Sequence, residues 1–323
     1  LETVSKAEQG YNLLSSHVNK PAKGVTVQQT KKDLLAQVLQ RMIWSCLQHL
    51  QDNLPGVFGR DGVYSDDTEY LHQVRVALRR LRVVLRMAGN FHPDEQLAVL
   101  TGEVAALCAS LGRIRDWDVF IAQTILPMCQ RMSGHEGLQD LLKVCEQRRA
   151  DCYTALRSES QAREMQRILL RISVWMKGAY WQEVPSEIKV SQFAVQRLSK
   201  LSARFIRAGK KLHAFDLDRL HEFRILAKKL RYSADFFSSL YDKKRAGDFL
   251  KSLSEVQEVL GKINDVSVAN YLLKELESDV GWSVDQEPIV LVKGWVAHDL
   301  SDNFSVLNKA IKRFNKRSVF WEM

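Results

Sequence analysis

An all-α fold is predicted by three features of the sequence. Apolar residues make up 46% of the 323 positions and only 16 glycines and 6 prolines interrupt them, a composition that supports a large helical core. The apolar residues recur three and four apart, the spacing of one helical face. A twelve-residue pattern with that same phase occurs twice, at residues 71–82 and 220–231. No convincing strand follows residue 14, and Ile289 to Val292 is the one ambiguous stretch.

Taken in order, the first helix spans about residues 30–51 and buries Leu34, Leu35, Val38, Leu39 and Ile43. Residues 53–64, with Pro55, Gly56, Gly59 and Gly62, read as a loop. Ser65 or Asp66 caps a basic helix that ends near Gly89, with Pro93 beyond it. Helices follow over about 94–111, 116–132 with a break at Pro127, 136–158 and 161–179. Pro185 marks the boundary between halves. The second half holds helices over about 190–211, 216–240 with Asp216 as its cap, 245–260, 265–278, 288–300 and 303–316. Pro288 sits where a first-turn proline belongs.

The repeat carries the functional argument. Residues 71–82 read LHQVRVALRRLR and residues 220–231 read LHEFRILAKKLR, 149 positions apart, with five identities and two Arg-to-Lys changes. At about 100° per residue, His72, Arg75, Arg79 and Arg82 fall on one narrow stripe that Arg86 continues. Val74, Leu78, Leu81 and Leu85 form the neighbouring stripe, the packed face. His221, Arg224, Lys228 and Arg231 repeat the basic stripe beside Phe223, Ala227, Leu230 and Ala234. Arg80 and Lys229 point elsewhere in both copies.

Cations three and four apart repel by roughly 0.2–0.5 kcal/mol per pair on an exposed helix, and residues 72–86 contain no acid. A solvated face has no reason to place His and Arg at fixed phases twice. An anionic ligand does supply such a reason. The net charge of +9 and pI near 9.3 point the same way.

A second block keeps the register. Residues 111–119, LGRIRDWDV, match 260–268, LGKINDVSV, again 149 apart with five identities. Two helices and their connection therefore have the same length in both copies, a duplicated helical hairpin. Gly112 and Gly261 read as helix ends, and Asp116 and Asp265 as caps of the helices that restart. The competing role for those acids is to orient the His or an Arg of the neighbouring basic helix. Arg113 and Lys262 sit where they add cations to the same ligand.

This doubled His-x-x-Arg helix, each copy followed by Leu-Gly-x-x-(Arg/Asn)-Asp, resembles the CHAD family, the conserved-histidine α-helical domain that binds inorganic polyphosphate. The resemblance covers about residues 30–317. It implies two halves like four-helix bundles, related by internal duplication and approximate two-fold symmetry, with a basic groove or pore between them. It assigns the anion-binding role to His72, Arg75, Arg79, Arg80, Arg82 and their counterparts His221, Arg224, Lys228, Lys229 and Arg231, with Arg113 and Lys262. Arg86 joins them as the continuation of the stripe. Asp116 and Asp265 are supporting residues.

The chain starts at Leu1, and residues 1–14 are similar to the closing segment of CYTH domains, metal-dependent triphosphatases, where Ser-Lys-x-x-x-Gly-Tyr precedes the domain end. The domains expected are therefore residues 1–14 as a CYTH remnant, 15–29 as a linker, 30–182 as the first CHAD half and 183–323 as the second. Mg²⁺ is expected only for the upstream CYTH part, a probable triphosphatase by that resemblance. For these residues no metal, no cofactor and no catalytic group is expected.

The sequence lacks a phosphate loop and a His-Glu-x-x-His spacing, and the Glu-x-Glu-x-Lys signature of CYTH catalysis is absent. Glu275-Leu276-Glu277-Ser278-Asp279 matches that signature only superficially. Two alternatives stand beside polyphosphate binding. One is an RNA- or DNA-binding module, although the stripe carries no aromatic platforms of the kind that stack on bases. The other is a phosphohydrolase using His72 and His221, with His72 and Asp116 as an acid–base pair. Sulfate or phosphate is expected to fit the same site. Five cysteines with no metal-type spacing read as reduced thiols of a cytoplasmic protein, and polyphosphate granules are the expected place of association. No apolar run approaches bilayer length, so no membrane partner is expected. The oligomeric state is not legible.

Overall fold

The fold is described from a computed structural model that covers residues 20–59, 65–91, 93–185, 187–213, 216–278 and 286–322. The stretch 1–14, read as a CYTH remnant, lies outside them, as does the start of the linker. The described residues are all-α. They form helices α1 (Leu35–Phe58), α2 (Glu69–Ala88), α3 (Glu95–Phe120), α4 (Leu126–Arg131), α5 (Glu136–Leu156), α6 (Glu159–Trp175), α7 (Tyr180–Glu183), α8 (Val190–Gly209), α9 (Leu217–Phe237), α10 (Lys243–Glu277) and α11 (Gln286–Asn315). The sole β feature among them is an isolated bridge between Leu34 and Lys189.

Two compact units result. Among the described residues, one holds those of 20–25, 42–115 and 152–181; the other holds those of 26–41, 116–151 and 182–322. This grouping differs from a single cut after residue 182, because residues 26–41 and 116–151 go with the second unit. Backbone pairing anchors the first of these segments: Leu35 donates to the Ile188 carbonyl at 2.9 Å and Val190 to that of Asp33 at 3.0 Å.

In the first unit, Val74, Leu78, Leu81 and Leu85 of α2 are buried, the face that periodicity assigns to the core. Trp175, Tyr180 and Trp181 cluster with ring centroids 5.0–5.2 Å apart, and the Tyr180 hydroxyl donates to the Ala88 carbonyl at the end of α2. In the second unit α10 packs on α9 and α11, and α9 packs on α8. Phe205 of α8 stacks on Phe223 of α9 at 4.5 Å, and Phe249, Phe314, Phe320 and Trp321 extend the aromatic core. Asp216 caps α9 as expected, accepting from the Arg219 amide at 3.1 Å.

Several helices run through positions expected to end them. α1 continues to Phe58 with Pro55 inside its last turn, so residues 53–58 are helix and not loop. A Cβ on Gly56 would lie 2.2 Å from the Tyr70 ring, so this glycine serves close packing; the chain turns only at Gly59, with φ of 86°. α3 does not stop at Gly112, nor α10 at Gly261. An interior glycine costs about 1 kcal/mol against alanine, which burial along helices this long outweighs. α3 instead passes into a π-turn at Ile121–Ile125, and Pro127 falls in the first turn of α4. α11 is one helix where two were expected, and Ile289 to Val292 is helical.

The start of α2 also differs in detail. Neither Ser65 nor Asp66 caps it; Asp67 accepts from the Glu69 amide at 2.8 Å. One stretch, Glu95–Arg131, is long and apolar enough by length and composition to cross a membrane, contrary to the reading of apolar runs. Leu100, Val104, Trp117, Ile121 and Ile125 within it are buried in the protein, while 33% of its apolar window as a whole is buried.

Candidate functional site

The basic stripe of α2 begins at His72 and ends at Arg86, and from Arg75 onward its exposure increases. Arg75 is 8% exposed and its Nη1 donates to the Leu111 carbonyl of α3. Gly112 allows this approach, since a Cβ there would lie 3.2 Å from Arg75 Nη1. The Leu-Gly pair of the second block thus receives an arginine of the first. His72, Arg79 and Arg82 are half-buried, and Arg86 is exposed. Among the described residues no carboxylate lies within ion-pair distance of Arg79, Arg82 or Arg86.

Burial holds the His72 imidazolium below its ordinary range. Glu69 opposes this, while Arg115, Arg79 and Arg75 add to it. Partial desolvation, although the residue is exposed, also lowers Arg86, helped by the charge of Arg82. Cys108 of α3 lies close enough for the charges of Arg79, Arg82 and Arg75 to pull its thiol down, yet burial still pushes it up.

In the second unit the corresponding residues of α9 and α10 line a cavity of about 290 Å³ that brings together His221, Arg224 and Asn264. His221 and Arg231 are exposed, and Arg224 and Lys228 are half-buried. Arg231 Nη1 donates to Gln257 Oε1 at 3.1 Å. Gln257 is the counterpart, 149 residues on, of Cys108, whose thiol is a poor acceptor; the Arg82 Nε is buried with no hydrogen-bond partner among the described residues.

Asp265 does not cap a helix. Burial pushes its carboxyl up to about 6, against the pull of Arg224, of a hydrogen bond from Asn264 and of Lys228, while Asp116 adds to the rise. The two motif acids, from different copies of the repeat, therefore lie near each other in one unit. Asp116 too sits inside a helix and not at its start.

Not every residue assigned by resemblance joins a stripe. Arg80 is 6% exposed, and its Nη2 donates to the Val25 carbonyl at 3.1 Å, away from His72. Lys229 lines a different cavity, described below. Arg113 and Lys262 are exposed on α3 and α10. Sequence reasoning passed over Arg115, whose Nη1 donates to Thr68 Oγ1 at 3.2 Å beside His72. Its counterpart Asn264 and the buttress Gln257 were also missed. The variable fifth position of the second block was the signal for the first two. No group of three His, Cys, Asp or Glu side chains that could hold a metal occurs among the described residues.

Each copy of the repeat thus brings its two blocks together beside a cationic stripe. The CHAD domain family matches residues 41–274. The chain belongs to the CHAD family. A crystal structure of the CHAD domain from the plant Ricinus communis is 27% identical, with a TM-score of 0.75, over 90% of this chain and 96% of that one. PptA from Streptomyces chartreusis shares the fold at 13% identity and a TM-score of 0.58, over 87% of this chain and all of that one. No curated protein matches.

Proposed function

We propose that this CHAD domain binds inorganic polyphosphate through its basic stripes and performs no chemistry of its own. The observation that carries the reading is the set Arg79, Arg82 and Arg86, three cations on one helical face with no carboxylate at ion-pair distance among the described residues. Like charges held together without internal neutralisation favour an external anion. Arg forks suit phosphate oxygens, and His72, kept neutral by burial among arginines, is a hydrogen-bond donor that becomes a cation when a phosphate sits beside it. The family resemblance supplies the identity of the anion. The absence of an aromatic platform from either stripe favours a ligand without bases.

The test is a titration of the protein with long-chain polyphosphate, competed by single-stranded RNA at equal phosphate concentration. Tight binding of polyphosphate that RNA fails to displace is expected, with at least a tenfold loss in the Arg79→Ala, Arg82→Ala double variant. Equal displacement by RNA would transfer the stripes to nucleic-acid binding. Phosphate release by the protein, with or without Mg²⁺, would overturn the non-catalytic reading.

A further inference from the structure

The two copies of the basic helix differ on the face turned away from the stripe. In α2 that face consists of Tyr70, Gln73, Ala77 and Arg80, and all four are buried. His49 hydrogen-bonds to Gln73 at 3.0 Å, the Val25 carbonyl accepts from Arg80, and the Gly56 backbone lies against Tyr70. Their counterparts in α9 are Arg219, Glu222, Leu226 and Lys229. None of these is buried, and Arg219 and Glu222 are exposed. A face closed in one copy is open in the other.

The opening is a cavity of about 790 Å³ along α8 and α9. Its rim carries Arg204, Arg207 and Lys211 from α8 and the turn after it, with Arg219 and Lys229 from α9; Glu222 is the one carboxylate in the lining. Arg219 is held by Asp216 at 3.0 Å. Arg204 and Lys211 have no carboxylate at ion-pair distance among the described residues. The floor is apolar, with Leu212, Phe223 and Leu226. At about 100° per residue this face of α9 lies roughly opposite His221, Arg224, Lys228 and Arg231, so the cavity is separate from the stripe.

Clefts of roughly 300–1,000 Å³ with an apolar lining and a few placed polar groups hold small molecules. With Arg219 held by Asp216, the cluster of Arg204, Arg207 and Lys211 against Glu222 selects a multiply charged anion. A bare phosphate chain gains nothing from an apolar floor, whereas a ligand with a flat organic body does. We propose that this groove is a second anion site that takes a nucleoside polyphosphate, with the phosphates on Arg204, Arg207 and Lys211 and the base against Leu212 and Leu226. The inference does not rest on polyphosphate binding at the stripes.

The probes are ATP and inorganic tripolyphosphate, each titrated calorimetrically against the full chain. ATP is expected to bind more tightly than tripolyphosphate. The Arg204→Glu, Lys211→Glu variant, altered at exposed positions, should weaken ATP at least tenfold with unchanged thermal unfolding. Leu212→Ser should weaken ATP about threefold and leave tripolyphosphate unaffected, and Glu222→Gln should tighten both. Three results would overturn the proposal: no ATP binding at millimolar concentration, ATP binding abolished by Arg79→Ala, Arg82→Ala and untouched by the groove variants, or Leu212→Ser weakening tripolyphosphate as much as ATP.

Discussion

Arg75 and Arg79 sit one turn apart on the same stripe and have different tasks. Arg75 is buried against the Leu111 carbonyl over Gly112, so it ties α2 to α3, while Arg79 and Arg82 are only half-buried. Arg75→Ala should lower stability by about 1–3 kcal/mol, the scale for removing one partner of a buried hydrogen bond, as read from denaturant unfolding. Arg79→Ala with Arg82→Ala should leave the unfolding midpoint unchanged within roughly 0.5 kcal/mol. A loss of stability in the double variant equal to that of Arg75→Ala would make the whole stripe structural.

Titration gives the two units opposite responses. The Asp265 carboxyl, raised to about 6 from 3.8, costs stability when ionised; the cost is full above about pH 6 and disappears as pH falls to 3.8. Asp265→Asn should therefore stabilise the protein at pH 7.5 by up to roughly 3 kcal/mol, at 1.36 kcal/mol for each pH unit between the two values, and the gain should vanish near pH 4. Equal gains at both pH values would assign the effect to packing. His72 is lowered, so its neutral form is the folded one near neutrality, and stability falls as pH drops below about 6.5 through its folded value. A bound polyanion restores the charged form, which makes affinity rise between pH 7.5 and 5.5. Binding independent of pH in His72→Gln, beside a pH-dependent parent, would trace the effect to this ring.

At the scale of elements, α2 is buried on two faces and carries its cations on a third. One buried face packs through Leu78 and Leu81, each no more than 1% exposed, and the other holds Tyr70, Gln73, Ala77 and Arg80. Leu78→Ala should cost about 2–5 kcal/mol while any folded protein retains its ligand affinity at low temperature. The helix also shows how glycine can mislead. Gly56 and Gly112 look like punctuation, yet each lies in a helix because a ring or a guanidinium needs the space of its missing Cβ. Nothing local marks such a glycine, since the group that needs the room is distant in sequence.

For the molecule as a whole, the excess of positive charge makes ionic strength the strongest external variable. If six to ten phosphates are neutralised, affinity should fall on the order of 10³–10⁵ between 50 and 200 mM salt by the behaviour of DNA. A flat salt dependence in polyphosphate titrations would rule out a charge-driven complex. The two units also assign the repeat unevenly: Asp116 belongs to the first copy by sequence but to the second unit in space, near Asp265.

The helical class, the basic stripes, the packed face of α2 and the pairing of two motif blocks were legible in the sequence, because period and repetition are properties of the chain itself. Which stripe cations are buried, which are left without a carboxylate, and why Arg80 closes against Val25 while its counterpart lines an open groove were decided only by the tertiary structure. The reason is physical: periodicity fixes the direction in which a side chain leaves its helix, whereas burial and charge depend on what distant segments bring to meet it.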